Sequence, residues 1–168
     1  MTASINCSNM KCPDKHCFYI VASGVTAQRF VVEDFTLDAS SPKRVIRKGT
    51  IVENVHVEID ENFAVVRIVS EDEEERNGKS RVWLCRRAEL RRVKCRLAGA
   101  LEAAPPHARL AVVENKFATD QLLKLNIGEM VNYYLQESSG EPELSLLNYK
   151  GPVPEIGPGI YFGLELLV

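Results

Sequence analysis

The residues of this chain that could do chemistry are few, and they fall in different places. Cys7, Cys12, His16 and Cys17 form a C-x4-C-x3-H-C cluster of the soft ligands that hold a tetrahedral zinc ion. Structural zinc sites pair ligands two to four residues apart on a knuckle and bring a second pair from a distance. Four ligands packed into one short stretch match that pattern poorly, so no metal site is assigned. Cys85 and Cys95 fall in strand-like and helix-like sequence and read as small apolar residues. A Cys–His nucleophile pair needs a base on a rigid element. His16, His56 and His107 lie instead in a polar tail, a strand and a Pro-rich segment. The chain carries no P-loop, G-x-G-x-x-G, H-E-x-x-H or G-x-S-x-G motif. The expectation is a region with no catalytic residue, no metal and no cofactor.

Charge is the next source of chemistry. Over 168 residues, 21 Lys and Arg stand against 23 Asp and Glu, so no global field favours nucleic acid or an anionic membrane. One local patch departs from this balance. Lys79, Arg81, Arg86, Arg87, Arg91, Arg92, Lys94 and Arg96 face only Glu89. Such a patch could hold an acidic peptide, a phosphate or RNA, or it could be a solvated face offset by the acidic run Glu71 to Glu75. No apolar run reaches the length of a membrane span and the N-terminus has no apolar signal region, so the default expectation is a cytosolic chain with reduced thiols.

The C-terminal stretch is the most informative. Asn148, Tyr149, Lys150, Gly151 and Pro152, and then Gly159, Ile160, Tyr161, Phe162, Gly163, Leu164, Glu165 and Leu166, set glycines at strand edges beside adjacent aromatics. Alternation puts Ile160, Phe162, Leu164 and Leu166 on one face and Tyr161, Gly163, Glu165 and Leu167 on the other. Glycine in a strand marks close approach of another backbone, and an aromatic beside it offers a surface for stacking.

The elements that must position these residues are mostly strands. From Cys17 to Cys85, short runs rich in Val, Ile, Phe and Tyr are separated by polar turns, including a hairpin connection through Asn77-Gly78. From Arg86 to Leu101, the spacing of Leu90, Val93, Leu97 and Leu101 predicts a helix. Pro105-Pro106 predicts a linker, followed by a short turn around Thr119 to Lys124 capped by Thr119 or Asp120. Further β sequence then runs to the C-terminus. The organisation expected is a disordered tail over 1–16, a β domain over 17–98, a linker over 99–124 and a second β unit over 125–168.

The run from Asn126 to Leu167 resembles the first half of a CAP-Gly domain. Ile127-Gly128-Glu129-Met130-Val131 matches the opening strand, Asn148 to Pro152 the second, and Gly159 to Leu166 the third. The variant is most similar to the first CAP-Gly module of the cylindromatosis-type (CYLD-type) ubiquitin carboxyl-terminal hydrolases. Cys17-Phe18-Tyr19-Ile20 and Arg47-Lys48-Gly49-Thr50-Ile51 resemble upstream pieces of the same region. The resemblance implies a mainly β fold, with an SH3-like barrel followed by an incomplete CAP-Gly barrel. It implies a docking groove for tubulin, microtubules or acidic C-terminal peptide tails, lined by Lys150, Gly151, Gly159, Tyr161 and Gly163.

It further implies a cytoplasmic, cytoskeleton-associated protein, linked to ubiquitin-pathway signalling through a parent cysteine protease that removes linear and certain lysine-linked ubiquitin chains. Catalytic residues in that family lie far downstream, so this chain is expected to be inactive. The family's Gly-Lys-Asn-Asp-Gly loop does not occur before Val168, and the chain is therefore expected to be a piece of a longer protein. Four readings compete with this one: a stand-alone cytoskeletal CAP-Gly/SH3-like adaptor without enzymatic activity, an SH3-like adaptor that binds a Pro-rich partner in a groove beside Trp83, a small metal or redox protein using Cys7, Cys12, His16 and Cys17, and an RNA-binding barrel using the basic patch.

Overall fold

The computed structural model describes residues 18–57, 59–69, 81–134 and 141–167. The expected tail, the cluster of Cys7, Cys12, His16 and Cys17, the acidic run with its Asn77-Gly78 turn, and Val168 lie outside the described residues. The chain is mainly β, all its strand pairs are antiparallel, and neither sheet closes on itself. The SH3-like and CAP-Gly barrels that the resemblance implies are not shown: among the described residues both sheets are open.

The larger sheet contains β1 (Phe18–Val21), β2 (Val25–Val31), β3 (Thr36–Leu37), β4 (Arg44–Ile46), β5 (Ile51–Asn54), β6 (Phe63–Ile68), β7 (Val82–Arg86) and β8 (Leu90–Val93). Its order is β3-β2-β7-β6-β5-β1-β8, with β4 also paired to β2. Side chains alternate across a strand, so this sheet builds its core on two faces. Tyr19, Val21, Val52, Ala64, Val66, Trp83 and Cys85 point into one cluster. Phe18, Ile20, Ile51 and Val93 point the other way, where helices cover them. Val65 and Val82 share that second direction further along, under Phe30, Val55 and Val57.

Two turns fix the register. Thr50 N–H bonds to Arg47 O at 3.2 Å, and Gly49 sits at φ +84°, the left-handed region that the third residue of such a turn requires. Asp60 Oδ1 accepts from Asn62 N–H at 2.7 Å, closing the connection from β5 to β6.

The helix expected over Arg86 to Leu101 is three elements: a 3-10 turn (Arg87–Glu89), β8, and α1 (Cys95–Glu102). Leu90 and Val93 are three apart, which fits one face of a helix, but they serve a strand buried on both sides. Leu90 enters the inner cluster and Val93 the helix-covered one.

The segment expected as a linker is helical too. Pro106 opens α2 (Pro106–Glu114), with Pro105 extended at the cap, because proline's fixed φ suits the first helical position and its missing donor has no partner there. Thr119 and Asp120 cap nothing, lying inside α3 (Lys116–Lys124); Thr119 Oγ1 donates back to Val112 O at 2.7 Å.

Arg109 ties these helices together. The residue is 9% exposed, and its guanidinium donates to Leu101 O and Ala104 O at 2.8 Å, Glu102 O at 3.1 Å and Gly49 O at 3.2 Å. Three of these carbonyls belong to the end of α1 and the turn after it, where the helix runs out of following N–H groups; Leu101 O also accepts from Ala104 N–H at 3.1 Å. Gly49 meets α2 so closely that an added Cβ would fall 2.0 Å from Pro106 O.

Candidate docking surface

The second sheet is three-stranded, in the order β11 (Tyr161–Leu166), β10 (Glu143–Gly151), β9 (Met130–Tyr133). β9 pairs Met130 with Leu146 and Asn132 with Leu144. β11 pairs Leu164 with Leu147, Gly163 with Tyr149, Phe162 with Lys150 and Tyr161 with Gly151, with a bulge at Asn148. The extra residue re-aims the strand. As a result Leu144, Leu146, Tyr149, Gly151, Tyr161, Gly163 and Met130 share one face, and Ser145, Leu147, Lys150, Phe162 and Leu164 share the other.

The first of these faces is turned to solvent and is mostly apolar, with Asn132 opposite Leu144 and the Glu165 carboxylate opposite Leu146 also exposed on it. Met130 is 50% exposed, Leu144 48% and Tyr149 42%. Tyr149 lies flat along it: an added Cβ on Gly163 would fall 2.9 Å from Tyr149 Cβ, and one on Gly151 2.7 Å from Tyr149 Oη. The two glycines are the seat of that ring, whose hydroxyl donates to Pro152 O at 2.6 Å. Tyr161 is half-buried on the same face and donates to Pro158 O at 3.3 Å.

The opposite face turns toward the helices. Lys150 Nζ donates to Leu125 O at 2.7 Å and lies 5.9 Å from the centre of the Phe162 ring. Ile160 N–H bonds to Gly99 O of α1 at 3.1 Å, and Gly159, at φ +118°, packs so tightly that a Cβ would fall 2.4 Å from Ala103 N. A cleft of about 320 Å³ remains between this face and α1 and α3, lined by Arg96, Ala100, Leu122, Leu123, Lys150, Ile160 and Phe162.

The residues expected to line one groove are thus distributed. Gly151, Tyr161 and Gly163 meet on the outer face, Lys150 is on the inner one, and Gly159 is in the seam against α1. Sequence reasoning passed over Tyr149. The available signal was an aromatic two residues before Gly151 on a strand whose partner carries Gly163.

Other candidates resolve differently. Trp83 is 5% exposed within the inner cluster, with Arg44 5.7 Å from its ring centre, so its indole packs into the core instead of presenting a face to a partner. In the basic patch, Arg87 donates to Tyr19 Oη at 3.1 Å and Lys94 lies 3.6 Å from Asp120, while Arg86, Arg91, Arg92 and Arg96 are exposed. Burial pushes the Cys85 thiol up to about 12, with Glu89 adding to the shift. Among the described residues, no group of three or more His, Cys, Asp or Glu could hold a metal ion, and no helix is long and apolar enough to cross a membrane. Comparison with protein-family models, with curated proteins and with solved structures finds no match to this chain.

Proposed function

We propose that the chain is a non-catalytic protein-docking region of CAP-Gly type, part of a cylindromatosis-type deubiquitinase that removes linear and certain lysine-linked ubiquitin chains. In this reading the larger sheet is an SH3-like unit and the smaller one the start of a CAP-Gly unit. Their short antiparallel strands suit small half-open barrels. The observation that carries the reading is the solvent-facing side of the second sheet, where Tyr149 and Tyr161 stand beside Gly151 and Gly163 among exposed Met130 and Leu144.

An extended segment laid across these residues would bury apolar surface and stack on the tyrosines. The acidic character of the tail, and tubulin as its source, come from the resemblance. A buried thiol held protonated at neutral pH makes Cys85 a poor nucleophile, which agrees with a docking role.

The test is microtubule co-sedimentation together with fluorescence anisotropy of a labelled acidic peptide ending in an aromatic residue. Wild-type chain binds, and Tyr161→Ala and Tyr149→Ala each weaken binding by about tenfold or more, as truncation of an aromatic anchor does. Equal binding by wild type and both variants, or none by any, would overturn the assignment of this face.

A further inference from the structure

The inner side of the second sheet carries a different chemistry from the docking face. Its cleft has an apolar floor of Ala100, Leu122, Leu123, Ile160 and Phe162, with two cations, Arg96 and Lys150, and no carboxylate in its lining. Arg96 is exposed and has no acidic partner among the described residues. Lys150 is steadied from one side by the neutral carbonyl of Leu125 and from another by the Phe162 ring, and its charge also reaches the Glu129 carboxylate, which is held mainly by Asn126. An ammonium has three N–H donors, so at least one is free for an anion. The volume of about 320 Å³ lies at the small end of ligand pockets, and at roughly 30 Å³ per group it holds about ten non-hydrogen atoms.

From this geometry we infer that the cleft between α1, α3 and the second sheet binds a medium-chain monocarboxylate, with its head between Arg96 and Lys150 and its tail against Leu122, Leu123 and Phe162. Charge complementarity selects an anion, and the apolar floor selects one carrying an aliphatic body. A small polyanion would leave that floor wetted, and an uncharged chain would leave Arg96 unmatched. The size fits a carboxylate of about eight carbons, in which each buried methylene adds its share of affinity. The site lies on the opposite side of the sheet from Tyr149 and Tyr161, so it stands or falls independently of the docking function.

The probe is sodium octanoate, titrated by calorimetry and by amide chemical shifts, with acetate and 1-octanol as controls. Octanoate should saturate a single site with a Kd on the order of 0.1 mM, while acetate and 1-octanol each bind about tenfold more weakly or not at all. The largest shifts should fall on Arg96, Leu123 and Phe162. Arg96→Gln, at an exposed position, and Lys150→Gln should each weaken octanoate at least about fivefold, whereas Tyr161→Ala should leave it unchanged. Equal binding of octanoate and 1-octanol, no saturation at millimolar octanoate, or indifference to Arg96→Gln would refute the site. A peptide with a C-terminal leucine carboxylate that displaces octanoate with higher affinity would overturn the assignment to a free carboxylate.

Discussion

Arg109 joins α2 to the end of α1 and to the turn at Gly49, and its removal should be costly. Its guanidinium is almost wholly enclosed and supplies hydrogen bonds to the carbonyls of Leu101, Glu102, Ala104 and Gly49. Leu101 O retains a second donor in Ala104 N–H, so Arg109→Ala leaves Glu102 O, Ala104 O and Gly49 O without the donor that Arg109 provides. Hydrogen bonds from charged donors contribute about 1.5 to 3 kcal/mol each, and water entering the vacated space recovers part of that. The expected loss is about 3 to 5 kcal/mol, or roughly 6 to 20 °C in Tm for a chain of this size. Arg109→Lys should recover little, because one ammonium cannot span acceptors both at the end of α1 and in the turn at Gly49. Urea unfolding followed by circular dichroism measures the loss. A shift of less than about 1 kcal/mol for Arg109→Ala would refute the clamp, as would full rescue by lysine.

Gly49→Ala combines a left-handed φ with a methyl group 2.0 Å from Pro106 O, and should cost about 2 to 4 kcal/mol in the same assay; a neutral effect would mean that α2 does not pack on this turn. Cys85 should resist a thiol reagent at pH 8 in native protein and react on unfolding. Its folded pKa of about 12 lies above the ordinary 9.0, so the unfolded chain loses this proton first. Stability should therefore fall by up to about 1.4 kcal/mol per pH unit between about 9 and 12, and Cys85→Ala should remove that slope. Asp38, which accepts from the hydroxyls and backbone of Ser40 and Ser41, should titrate near 2 by carboxyl NMR. Its contribution is present above pH 4, declines as pH falls from about 4 and is gone once pH has fallen through about 2, and a midpoint near 4 would show that the two serines leave it unbonded.

The parts of the fold that were legible in the sequence are those where the cause is local. Phe18 to Val21, Phe63 to Ile68 and Val82 to Arg86 read as strands because β-branched and aromatic residues dominate them, and the structure uses both of their faces. That same two-sided burial made Leu90 and Val93 look helical. In α2 the apolar residues are spread around the helix and the segment opens on two prolines, so periodicity carries little signal. What holds α2 is Arg109 reaching Gly49, sixty residues away, a contact that no window of sequence contains.

The candidate site shows the same division. Alternation along β11 correctly separates Tyr161 and Gly163 from Phe162 and Leu164, because strand period is fixed by backbone geometry. It gives no information about Lys150, whose face depends on the bulge at Asn148. Without that extra residue Lys150 would share a face with Leu144 and Leu146; with it, Lys150 turns inward to Phe162. The glycines likewise announce a close approach without naming what approaches. Gly151 and Gly163 receive the ring of Tyr149, and Gly159 receives the end of α1. Each close approach that glycine makes possible is thus made within the chain, which fixes the sheet against the helices and presents Tyr149 and Tyr161 on a flat backbone. The glycines therefore act on any ligand indirectly, by holding the two aromatic rings in place.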